Sequence, residues 1–185
     1  MMYELPESLI VCGTEYPIRW EYRDVLMILE VLNDAELSNQ ERGFLACVFF
    51  YPDFRDMPVD HYQEAVRQLM WFINGGKEEE DSKKNPPRLV DWENDFQYIV
   101  SPVNRVIGRE IRTKEPTHWW TFLSAYMEIG DCTFAQIVRI RSMNAKGKRL
   151  DKADQEWYRQ NRNLVDIKQV FTQEEKDVMQ QWGVK

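Results

Sequence analysis

The sequence predicts a mainly α-helical chain: a compact multi-helix domain of about seven or eight helices with a short N-terminal β-hairpin. Three observations carry this. Apolar residues return at i, i+3, i+4 and i+7 in one segment after another, which lines one face of a helix. Helix-start and helix-stop residues bracket those segments. Strand-like patterning is confined to the stretch before Trp20.

In chain order, SLIVCGTEYPIRW (8–20) sets short apolar runs on either side of Gly13-Thr14, as a hairpin or extended arm does. Val25, Leu26, Ile28, Leu29 and Leu32 give a helix from Tyr22 to near Asn33. Ser38 with Glu41 forms a capping box, each side chain able to satisfy the other's free backbone amide. The helix it opens, ERGFLACVFF, is apolar almost all round and is expected to be central; it stops near Pro52. Another runs from Val59 to Asn74 and ends at Gly75-Gly76. GGKEEEDSKKNPPR (75–88) has no apolar anchor and reads as a mobile charged loop. It separates an N-terminal helical part (1–74) from a C-terminal one (89–185), which are expected to share one core.

Helical spacing resumes through Trp92, Phe96, Ile99 and Val103, with Pro102 expected to kink or split the helix. Helices follow over Pro116–Ile129 and Thr133–Met143, then a basic turn, NAKGKRL. Asp151 can cap a helix bearing Trp157 and Tyr158, and Thr172 with Glu175 repeats the capping box before a last helix ending near Trp182.

At 185 residues and 43% hydrophobic composition the chain can bury a sizeable core. It has no apolar run long enough to span a bilayer and no secretion-type start, so a soluble protein of the cytoplasm is expected. Cys12, Cys47 and Cys132 are too few and too scattered for a disulfide framework or a zinc knuckle. The net charge of −7 is uneven. Residues 1–81 hold 6 Lys/Arg against 17 Asp/Glu, a balance of −11; residues 137–168 hold 9 against 4, a balance of +5. Such a split suits a nucleic-acid patch, a face for an acidic partner, or attraction between two halves of one molecule.

His118-Trp119-Trp120 is the stretch that most invites a chemical reading. Trp119, Phe122, Leu123, Tyr126 and Met127 match the helical template, so the segment reads as a core helix with Trp119, Phe122 and Tyr126 structural. Trp120 and His118 fall on its margins. No second His, Cys or carboxylate stands at ligand spacing from His118, and His61 lies on another helix. Asp91, Glu93 and Asp95 read as an acidic helix start. There is no GxSxG, phosphate loop or HExxH. No catalytic residue, metal or cofactor is expected, and the chain is not read as an enzyme.

The segment RIRSMNAKGKRLDK crowds Arg139, Arg141, Lys146, Lys148, Arg149 and Lys152. The aromatics that single-stranded nucleic acid would stack on are missing until Trp157, so structural pairing or protein contact is favoured. Arg141 stands at the i+7 place of the stripe begun by Phe134, Ile137 and Val138. A cation there is expected to be structural and to pair with a carboxylate, Asp95 or Glu128.

HWWTFLSAYMEI, then FAQIVRIR, then KGKRLDKADQEWYRQNRNLVD resemble the bacteriophage gene-product-fifteen family. LVDWENDFQYIVSPVNRVIGREIR is similar to its middle region, and FFYPD and WFING match more loosely. The resemblance covers most of the chain, and no catalytic residues come with it. It implies a tail-module protein of long-tailed phages or prophages, encoded close before the tape-measure gene. That place is typical of tail assembly chaperones, which cover the helical tape-measure protein while the tube polymerises. It further implies the host cytoplasm as the location and absence from the finished virion. A structural or tail-completion component retained in the virion is the alternative, and a nucleic-acid binder using residues 137–168 is less favoured. The expected partners are the tape-measure protein and other tail proteins, with self-association open, and without nucleic acid or membrane. Trp20, Trp71, Trp120 and Trp182, near helix ends or stripe edges, are candidate contacts, together with Arg139, Lys148 and Arg149.

Overall fold

A computed structural model describes residues 4–78 and 87–167, which form two compact units. The Thr172/Glu175 capping box, the helix expected to end near Trp182, and residues 79–86 of the charged loop lie outside the described residues.

The first unit opens with an antiparallel hairpin, β1 (Ser8–Val11) and β2 (Thr14–Pro17), in which Leu9 faces Tyr16 and Val11 faces Thr14. α1 (Tyr22–Leu32) starts where the Glu21 carboxylate accepts the Arg23 amide hydrogen. α2 (Asn39–Phe50) carries the capping box of Ser38 and Glu41 in full. The helix expected from Val59 begins instead with a 3-10 turn, Val59–His61, and continues as α3 (Tyr62–Ile73). Pro58 before that turn fixes an extended backbone, and the 3-10 geometry tightens the entry. At its end the Gly75 amide donates to Phe72 O and the Gly76 amide to Trp71 O. This Schellman closure needs left-handed backbone, and both glycines have positive φ.

α1 packs on α2, α2 on α3, and α3 against β1. Val25, Ile28, Phe50, Leu69 and Phe72 are fully buried between them. α2 is less central than its composition suggests. Ala46, Cys47 and Phe50 are buried, while Phe44 and Phe49, on the two margins of that stripe, are 49% and 41% exposed. Two neighbouring helices cover only one side of α2, so an all-round apolar helix leaves aromatics at the surface.

The second unit comprises α4 (Trp92–Ile107), α5 (Trp119–Met127), α6 (Thr133–Ala145), α7 (Lys152–Gln160) and α8 (Arg162–Val165). α4 packs on α5 and α6, and α8 on α6 and α7. Pro102 does not split α4, which is one helix across it with Pro102 buried. α8, a single turn, is separated from α7 at Asn161, a break with no Pro or Gly to announce it. α5 is shorter than Pro116–Ile129 because His118 caps its start and Glu128 its end. Its buried stripe is Trp119, Phe122 and Ala125; Met127, expected in that stripe, is 67% exposed. At about 100° per residue Met127 lies far round the helix from Phe122, and the smaller Ala125 takes the inward place. Among the described residues no helix is long and apolar enough to cross a membrane.

Candidate partner-binding surfaces

His118 is set by its position ahead of α5. Its ring nitrogen Nδ1 accepts the Trp120 amide hydrogen at 3.0 Å, and the ring meets the Trp120 indole edge to face. A nitrogen that accepts a backbone N–H must be unprotonated, which places the neutral ring's proton on Nε2. The residue is buried, so Nδ1 serves as a helix cap and is not offered to a metal or a substrate. The preceding loop is tied by Arg109, whose Nη2 donates to Thr117 Oγ1 at 2.8 Å. Trp119 points inward against Trp92 and Phe122. Tyr126, half-buried, touches Trp92 and Phe134, and burial pushes its phenol up to about 12. Trp120 is half-buried and shares its side of α5 with Leu123 and Met127.

Arg141 joins more of the chain than any other polar residue described. Nη1 and Nη2 grip the two carboxylate oxygens of Asp95 on α4. Nη1 also donates to Leu89 O at 3.0 Å, Nη2 to Leu164 O at 2.8 Å, and Nε to Val165 O at 2.7 Å. A guanidinium has five N–H donors, and all five find an acceptor. Asp95 Oδ2 in turn accepts the Asp91 amide hydrogen. Of the two carboxylates considered for Arg141, the partner is Asp95, not Glu128. Burying this pair is favourable only because every donor is met; an arginine with spare donors here would carry a heavy desolvation cost.

Two residues further back, Arg139 reaches out of α6 to α7, where Nη1 and Nη2 hold both oxygens of Asp154. Asp154 is buried, and Gln136 Nε2 adds a longer contact. Sequence reasoning missed Asp154, because an aspartate three residues after a capping Asp151 looks like an ordinary acidic helix start. It also missed the backbone carbonyls on Arg141, for which a sequence carries no signal.

Lys148 and Arg149 stand apart from these arginines. Both are exposed, beside Lys146 and Lys152, and none of the four forms an ion pair with a described residue. They lie on the closure of α6, where the Gly147 amide donates to Asn144 O and the Lys148 amide to Met143 O. Gly147 takes the left-handed backbone this closure needs, with φ 62°. Trp20 and Trp71 are half-buried in the first unit, and Trp182 lies outside the described residues. Cys47, buried on α2, has its thiol pushed up to about 12 by desolvation, so it behaves as a core residue. Among the described residues no three His, Cys, Asp or Glu side chains converge as a metal site would require.

A family model described as Bacteriophage Gp15 protein matches residues 1–167. The chain belongs to this family. No curated protein and no solved structure matches it. The match to Bacteriophage Gp15 protein runs through both described units, so the His118 cap and the Arg139 and Arg141 clamps all lie within the family region.

Proposed function

We propose that this phage protein is a non-enzymatic tail assembly chaperone that binds the tape-measure protein in the host cytoplasm and is left out of the mature virion. Membership of a bacteriophage family supports the setting. The observation that carries the mode of action is the set of large apolar side chains left at the surface of helices: Met27, Phe44, Phe49, Val106 and Met127. On α5, Met127 continues the edge begun by Trp120 and Leu123, an i, i+3, i+7 ridge that matches the apolar stripe of a partner helix. Flexible methionines and amphipathic tryptophans tolerate variation in such a stripe, which suits a long helical client. The cations Lys148 and Arg149 add attraction for acidic residues without fixing a register.

The test is a pull-down of the tagged protein from cells producing the phage, paired with mass spectrometry of purified particles. The tape-measure protein is expected in the pull-down and this chain is expected to be missing from particles. Stoichiometric presence in particles would establish a structural component instead. Co-purification of nucleic acid with no tail protein would overturn the reading altogether.

A further inference from the structure

α7 and α8 are attached to α6 by weaker means than those that join α4, α5 and α6. α7 buries a single residue fully, and it is the aspartate Asp154. α8 buries only Val165. Their apolar seat is small: Ile140, Leu150 and Val165, with Met143, Trp157 and Tyr158 half-buried around them. The rest of the attachment is polar and comes mainly from two arginines of α6, Arg139 on Asp154 and Arg141 on the carbonyls of Leu164 and Val165, with a longer contact from Gln136 to Asp154.

Breaking those contacts would leave no bare buried charge. The Arg139 side chain is already 51% exposed and would become solvated, as would Asp154. Arg141 would keep both oxygens of Asp95 and the carbonyl of Leu89, and water entering the vacated place would take the two donors that Leu164 and Val165 release. Arg139, the cation of the α7 clamp, is half in solvent, and the apolar seat is small, so local opening can occur far below the cost of global unfolding. What opening uncovers is an apolar face of α6, Ile140 and Met143, with Arg139 beside it.

We propose that residues 152–165 form a displaceable strap over a helix-docking surface on α6. The occupant that replaces the strap is an amphipathic helix of a partner protein with a carboxylate three residues ahead of an aromatic. α7 itself presents that pattern, with Asp154 on Arg139 and Trp157 on the apolar seat. The carboxylate answers the charge of Arg139 and the aromatic answers the seat, so a second helix of the same pattern competes for the same place. The identity of the partner rests on the chaperone reading; the strap does not.

The test uses the full-length chain and a fluorescently labelled peptide of residues 151–167. In hydrogen exchange, amides of 152–165 open while those of α4 stay protected. Asp154→Asn speeds exchange in 152–165 by about tenfold without touching α4, because one charge-assisted clamp is lost. The peptide binds the Asp154→Asn chain about tenfold more tightly than the wild type, since apparent affinity rises with the open fraction. A peptide carrying Asp154→Asn binds either chain more weakly. If the substitution unfolds the whole unit, Trp157→Ala, which trims a half-buried ring, supplies the same readouts. The proposal is overturned if 152–165 exchanges only together with α4, or if the peptide binds neither chain. Neither readout involves the tape-measure protein, so failure here is distinct from failure of the chaperone reading.

Discussion

The buried polar side chains divide sharply between the two units. Among the described residues Asp91, Asp95, Thr117, His118, Arg141 and Asp154 are buried, and all six belong to the second unit; the buried side chains of residues 4–78 are aliphatic, aromatic or sulfur-bearing. In the first unit Val25, Phe50, Leu69 and Phe72 meet by area alone, with Tyr51 donating to Ala65 O at 3.0 Å. In the second, α4, α6 and α8 meet around one guanidinium. Apolar burial is non-directional and tolerates repacking. A five-donor arginine accepts one arrangement only, so α8, while seated, takes a defined place despite its length. The second unit thus gains specificity from contacts which add little net stability, while the first gains stability from contacts that specify loosely.

Substitutions can break that contrast, the largest effect coming first. Asp95→Ala leaves the Arg141 charge buried without its carboxylate and is expected to cost about 3–5 kcal/mol in urea denaturation. Arg141→Lys should approach the same loss, because an ammonium has three donors for five acceptor positions. A conservative exchange in the first unit behaves differently: Leu69→Met is expected to cost under about 1.5 kcal/mol, against roughly 2–5 for Leu69→Ala. If Arg141→Lys proved as mild as Leu69→Met, the contrast would collapse.

Helix ends sharpen it further. Ser38→Ala removes one half of the α2 capping box and should cost about 1 kcal/mol, read as a shift in Tm. The smallest effect is one of pH. Glu110 is held at about 2 by hydrogen bonds from the Arg112 side chain and amide, with Asn104 adding to them. Its folded value lies below the ordinary 4.5, so this contact is complete above the ordinary value and is lost as pH falls through about 2. A carboxyl-carbon NMR titration should place Glu110 there, and Arg112→Ala should return it toward the ordinary value.

Much of the fold was legible because local signals agreed with tertiary ones. The Ser38/Glu41 and Asp151 starts, the Gly75-Gly76 stop and the hairpin are written in short-range chemistry that packing left alone. Illegibility begins where neighbours decide. Met127 and Ala125 both fit an apolar stripe, and only the position of α4 determines which turns inward. Phe44 and Phe49 look central until the number of helices around α2 is known. At the candidate surfaces, a cation in an apolar stripe marked Arg141 as needing an acceptor, yet two carboxylates were open to it. Three of its partners are backbone carbonyls, and those carry no residue signature.

We propose that this Gp15-family chain works by covering the helices of a partner protein. Its most direct measurement is the soluble fraction of the same phage's tape-measure protein, expressed alone, with this chain, and with a Trp120→Ala/Met127→Ser variant. A rise in soluble tape-measure protein with the wild type, reduced with the variant, is the predicted result. No change in solubility and no complex with the wild-type chain would contradict it.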